Sequence, residues 1–225
     1  MRNLLLTVAA AALLGSATQV GAVLVPIPGF SDDFSTPQAT STNNAVSGFD
    51  TGTTLMTSNG PRLIQTDILS NTAPGDARGR TAILNGAFSF STDDGVNGLG
   101  FLTYSFNTPV SLTLSPVFVF TFLGNDDNGA LHINVTDTVG NTSTTNFAIP
   151  SFPAGTGPVT LAVPANLVGV NSASVSKLVF SFGGTPSEDL SIDAIRAVPE
   201  PGTLGLLTVL GSLTGAGLLA RRRRA

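Results

Sequence analysis

The 225-residue chain holds few side chains capable of covalent or acid–base chemistry. Cysteine is absent and histidine occurs once, at His132. Zinc–thiolate sites, disulfide frameworks, redox dithiols and cysteine nucleophiles are therefore excluded. His132 could act as the base of a Ser-His-Asp arrangement, but it alternates with Leu131, Ile133 and Val135 and shares its face with Asn134 and Thr136. That phase predicts a solvated strand position instead. Glycoside hydrolysis needs two placed carboxyls, yet Glu188 is the single glutamate between residues 23 and 197, and no aspartate pair stands out. Two acidic turns, residues 92–98 and 124–129, carry Asp93, Asp94, Asp126 and Asp127 at close spacing. These are hard oxygen ligands that calcium could use, although neither turn has the alternating acids and distal glutamate of an EF-hand. The same residue types also make tight hairpin turns, so the spacing fits either role. Asp32, Asp33 and Asp193 would form a second calcium candidate if the first and last strands lie together. No other cofactor is called for.

The elements that must position these groups are strands. Period-two alternation recurs in Phe118, Phe120 and Phe122, in Tyr104 and Phe106, in Val110, Leu112 and Leu114, in Leu178, Phe180 and Phe182, and in Phe88 and Phe90. Glycine- and asparagine-rich pairs punctuate them: Asp94-Gly95, Asn97-Gly98, Asn128-Gly129, Val139-Gly140-Asn141 and Gly183-Gly184 each read as a turn. With no amphipathic helix of useful length and no fixed repeat, the pattern predicts an all-β fold, a single jelly-roll-like β-sandwich with a phenylalanine-rich core. Between residues 23 and 197 there are 13 acidic and 5 basic side chains, a net −8 against −4 for the whole chain. An acidic surface suits no phosphate backbone, so no nucleic-acid partner is expected. Sugar sites commonly offer tryptophan or tyrosine platforms. Tryptophan is absent here and the single tyrosine, Tyr104, is in phase with Phe106 and expected to be buried, which leaves polar loops for any carbohydrate.

Both ends differ from the middle. Residues 1–22 combine Arg2, the apolar run Leu4–Leu14 and small residues up to Ala22, the pattern of a secretory signal peptide cleaved after Ala22, with Gly15 and Ala17 as a second candidate. At the other end, residues 202–220 hold no charged side chain and are followed by Arg221, Arg222, Arg223 and Arg224. As one helix this segment would rise about 28 Å, enough to span a bilayer, with the arginines holding its C-terminus in the cytoplasm. Before it stands Pro199-Glu200-Pro201, whose prolines enforce an extended segment that an enzyme could read.

This ordered trio of Pro-Glu-Pro, apolar span and terminal arginine cluster, over residues 198–225, resembles the PEP-CTERM sorting signal of Gram-negative bacteria, also called the ice-binding protein C-terminal domain. The resemblance implies a membrane-embedded exosortase that recognises Pro199-Glu200-Pro201, cleaves nearby and passes the exported protein to the cell surface or the exopolysaccharide matrix. The flanks of the exported region, Ser31-Asp32-Asp33-Phe34 and Leu190–Val198, are similar to those of exported PEP-CTERM proteins, in which a strand of the type Ile-Asp-x-Ile closes a jelly roll near its first strand. The chain thus divides into a signal peptide (1–22), an exported β-sandwich (23–197) and a sorting signal (198–225). The expected role is that of a non-enzymatic surface or matrix protein associated with exopolysaccharide or biofilm, anchored transiently in the inner membrane. A calcium- or carbohydrate-binding module and a jelly-roll hydrolase are the alternatives.

Overall fold

The computed structural model describes residues 30–35, 38–43, 48–49, 52–72, 77–113, 117–152 and 156–198. The signal-peptide residues to Ala22, the motif Pro199-Glu200-Pro201, the apolar span, Arg221–Arg224 and Leu114 lie outside the described residues. In chain order the strands are β1 (Ser31–Asp32), β2 (Ala39–Asn43), β3 (Gly48–Phe49), β4 (Thr53–Thr57), β5 (Gly60–Asn71), β6 (Gly79–Leu84) and β7 (Ala87–Thr92). They continue with β8 (Val96–Val110), β9 (Val117–Asn125), β10 (Gly129–Asp137), β11 (Thr142–Ile149), β12 (Val159–Pro164), β13 (Val175–Pro186) and β14 (Asp189–Val198). No helix occurs among the described residues.

The strands form two seven-stranded antiparallel sheets. One has the order β12-β9-β14-β7-β6-β2 with β1 added beside β14, and the other β11-β10-β13-β8-β5-β3 with β4 beside β5. From β7 to β14 the chain alternates between sheets, except for the β10–β11 hairpin. Reading these eight strands as first to eighth gives the orders 6-3-8-1 and 5-4-7-2, the double Greek key of a jelly roll.

Alternation explains the core. Phe118, Phe120 and Phe122 from one sheet meet Phe180 and Phe182 from the other, all essentially inaccessible to solvent. Phe118 and Phe120 present edges to Phe180 at 5.3 and 5.6 Å between ring centres, the arrangement that aromatic quadrupoles favour. Leu131, Ile133, Val135, Leu178, Phe88 and Phe90 face the same interior, as their period predicts.

Three local expectations are corrected. Asn97-Gly98 lies inside β8 and Gly183-Gly184 inside β13, so neither pair is a turn. Their glycines make room instead: a Cβ at Gly98, Gly100 or Gly183 would press on the Phe90 ring or on a facing carbonyl. Gly183 and Gly184 adopt φ of +124° and +106° where the β13–β8 register slips, the left-handed geometry a bulge there requires. The third concerns Val110 and Leu112, which do not continue one strand. β8 ends at Val110, and Leu112 is buried beyond it, its N–H held by the Ser172 carbonyl.

Candidate functional site

The two acidic turns, separate in sequence, meet at one end of the sandwich. Antiparallel pairing brings the β7–β8, β9–β10 and β13–β14 connections together there, and the last of these supplies the links. Ser187 Oγ donates to Asp94 Oδ1 at 3.1 Å and accepts the Gly95 N–H at 3.2 Å. The Asp189 N–H donates to Asp126 Oδ1 at 2.7 Å, and the Asp126 N–H returns a bond to the Asp189 carbonyl at 3.1 Å. Asp93 Oδ2 accepts the Arg78 N–H at 2.8 Å, and Asp127 Oδ1 accepts the Asn128 N–H at 2.7 Å. Each of the four predicted acids therefore pins a turn.

Between the turns sits Glu188, fully buried, which sequence reasoning noted only as a lone glutamate. Its backbone exchanges bonds of 2.9 Å with Thr92, the Glu188 carbonyl accepting the Thr92 N–H and the Glu188 N–H donating to Thr92 Oγ1. Thr185 Oγ1 donates to Oε2 at 3.0 Å, while Oε1 has no hydrogen-bond partner and lies against Gly129, where any Cβ would collide with it. Burial pushes the Glu188 carboxyl up to about 7, with the charges of Asp126 and Asp127 adding to the shift and the Thr185 bonds opposing it. Asp189 is also raised, first by burial and then by Asp126 and Asp93. Among the described residues no group of three or more His, Cys, Asp or Glu side chains gathers within reach of one metal ion.

At the opposite end, β1 pairs with β14 through Ser31 and Arg196 and through Asp32 and Ile195, so the first and last strands lie together as expected. Asp32 turns inward: Oδ2 receives Arg62 Nη1 in an ion pair and the Tyr104 hydroxyl at 2.6 Å, and Oδ1 accepts the Phe34 N–H at 2.8 Å. Arg62 is wholly buried and lies over the Phe34 ring at 5.8 Å. Burial, reinforced by Asp32, raises the Tyr104 hydroxyl well above its usual range, so it remains a donor. Asp33 instead caps Ser35. A polar cleft of about 500 Å³ opens outside this network, between β1 and the β4–β5 turn at Ser58 and Asn59.

The sheet faces carry different chemistry. On the outer face of β11-β10-β13-β8-β5, cross-strand pairing aligns Asn146, His132, Ser181, Phe101 and Gln65 in one row and Thr144, Asn134, Val179, Thr103 and Leu63 in the next. A third row holds Thr142, Thr136, Lys177 and Ser105. His132 sits where its phase predicts, its Nδ1 2.7 Å from Asn146 Oδ1, and Thr144 Oγ1 donates to Asn134 Oδ1 at 2.5 Å. Within these rows Lys177 is the sole charged residue. The other sheet has on its outer face a groove of about 430 Å³ lined by Thr40, Thr42, Arg78, Arg80, Ser91 and Asp93.

No protein-family model and no curated protein matches the chain. Among solved structures it is similar to an exo-beta-agarase, at 13% identity and a TM-score of 0.40 over 70% of this chain. It is also similar to a family 11 carbohydrate-binding module of Clostridium thermocellum in complex with a beta-1,3-1,4-mixed-linked tetrasaccharide, at 12% identity and a TM-score of 0.39 over 75% of this chain and 93% of that one. The agarase AgWH50C gives 14% identity and a TM-score of 0.41 over 55% of this chain. The chain spans 22% of the length of AgWH50C and 25% of that of the exo-beta-agarase.

Proposed function

We propose that the chain is an exported, non-catalytic surface or matrix protein whose sandwich associates with extracellular polysaccharide. In this reading residues 1–22 direct export, and an exosortase processes the transiently membrane-anchored chain at Pro199-Glu200-Pro201. The observation that carries the polysaccharide half is the outer face of β11-β10-β13-β8-β5. Sugars present closely spaced hydroxyls with small apolar patches between them. A rigid lattice of Asn, Thr, Ser and His interleaved with Phe101 and Val179 meets both, and its near neutrality avoids the cost of stripping water from charges. The binding surface is then the sheet itself rather than the polar loops expected from the sequence.

The test is cell fractionation with mass measurement of the mature form. Wild type is expected in the matrix fraction, starting near Val23 and ending near Pro199, and released when the polysaccharide is digested. Thr144→Glu with Asn146→Glu puts two carboxylates on the exposed face without touching the core, and should lower matrix retention at least fivefold. Retention unaffected by either treatment removes the polysaccharide reading. Wild type that keeps residues 202–225 and stays in the membrane removes the sorting reading.

A further inference from the structure

The groove on the other sheet concentrates what little positive charge the domain has. Of the five bases in residues 23–197, Arg62 is buried against Asp32, and two of the remaining four, Arg78 and Arg80, are exposed and line this one groove. Neither guanidinium forms an ion pair with an acid among the described residues. They stand two positions apart, which on an extended chain turns both to the same face at roughly 7 Å spacing. Thr42 on β2 and Ser91 on β7 are the cross-strand neighbours of Arg80, so a guanidinium is flanked by a hydroxyl on either side. Thr40 extends this hydroxyl edge along β2 away from Arg78, over roughly 13 Å of strand.

Two such like charges, unpaired and adjacent, cost stability unless an anion joins them. At physiological ionic strength screening acts over about 8 Å, so the net −8 of the domain weakly opposes an anion seated here, whereas the guanidiniums act on it at contact. The groove is far larger than one small inorganic anion needs, since a water occupies about 30 Å³ of liquid. Its lining also sorts the chemistry. Guanidinium forks match carboxylates in bidentate geometry, and threonine and serine pair with hydroxyls. Asp93, held by the Arg78 N–H, accepts from hydroxyls and repels densely charged polyanions. We propose that this groove binds the carboxylate and neighbouring hydroxyls of a uronate-containing polysaccharide. The inference rests on the polysaccharide reading above and deepens it by naming the sugar class.

The experiment measures affinity of the full chain in about 0.15 M salt for six-residue oligogalacturonate and oligomannuronate, and for their methyl esters, which keep shape and hydroxyls but lose charge. At least one free acid should bind tenfold or more tightly than its ester, and Arg78→Gln with Arg80→Gln should abolish that preference without lowering the melting temperature, both side chains being exposed. Equal binding of acid and ester, a double variant that binds like wild type, no binding of either acid, or an oligonucleotide of equal charge binding as tightly as the uronates would each overturn the proposal. If the esters bind while acid preference is absent, the groove is ruled out and the broader polysaccharide reading stands. If no oligomer binds and matrix retention also fails, both fall.

Discussion

The two ends of the sandwich treat buried acids in opposite ways. At the β1 end Asp32 is matched by Arg62, the Tyr104 hydroxyl and the Phe34 N–H, and Asp137, at the same end, accepts from the N–H groups of Val139, Asn141 and Asn171 and from the Asn141 amide. These bonds, that from Asn171 foremost, hold the Asp137 carboxyl down at about 2. At the other end Glu188 is buried among acids with one oxygen unpartnered, and its carboxyl rises to about 7. One end is built from satisfied charge, and the other holds a charge that the fold disfavours. Both use these carboxyls chiefly to join strands and turns.

The largest effect that could break this contrast is Asp32→Ala. Removing the carboxylate takes the ion-pair partner from the buried Arg62 guanidinium and the acceptor from the Tyr104 hydroxyl, and should cost about 3 to 5 kcal/mol in chemical denaturation. A loss under about 1 kcal/mol would mean that the pair holds nothing together.

The acidic end gives a smaller effect of opposite sign. Glu188 ionises at about 4.5 when unfolded and at about 7 when folded, so between those values the native state binds more protons. Stability must then fall as pH rises from 4.5 to 7, by about 3 kcal/mol at most, and stay level above. Asp137 works the other way, its contribution being present above about 4 and lost as pH falls toward 2. The stability maximum should therefore sit in mild acid, near pH 4 to 5. Glu188→Gln should flatten the upper limb and leave the lower one; a variant that keeps the fall between pH 5 and 8 would show that another group causes it.

The smallest effect belongs to His132→Ala, which removes an exposed cross-strand contact to Asn146 and should change stability by less than about 0.5 kcal/mol. Any larger loss would mean that the outer lattice contributes to the fold.

Much of the fold was legible because alternation is a local signal. Phe118, Phe120 and Phe122, Leu131, Ile133 and Val135, and Leu178, Phe180 and Phe182 each point where their phase predicts. Glycine misled where its reason was tertiary: Asn97-Gly98 and Gly183-Gly184 resemble turns, yet these glycines accommodate the Phe90 ring and a bulge in paired strands far apart in sequence. The acidic turns were visible one at a time, but their meeting around Glu188 depends on strand order, which composition does not encode. The groove had a readable trace in the i, i+2 spacing of Thr40 and Thr42 and of Arg78 and Arg80; what joins those pairs is the β2–β6 register.

The most direct test of the proposed ligand chemistry on the faces is amide chemical-shift mapping of the protein titrated with neutral and acidic polysaccharide fragments. Shifts should cluster on His132, Asn134, Thr144 and Asn146, with a second cluster at Arg78, Arg80 and Ser91 for acidic fragments. Shifts confined to Asp94, Asp126, Asp127 and Glu188, or to the cleft at Asn59, would contradict the account.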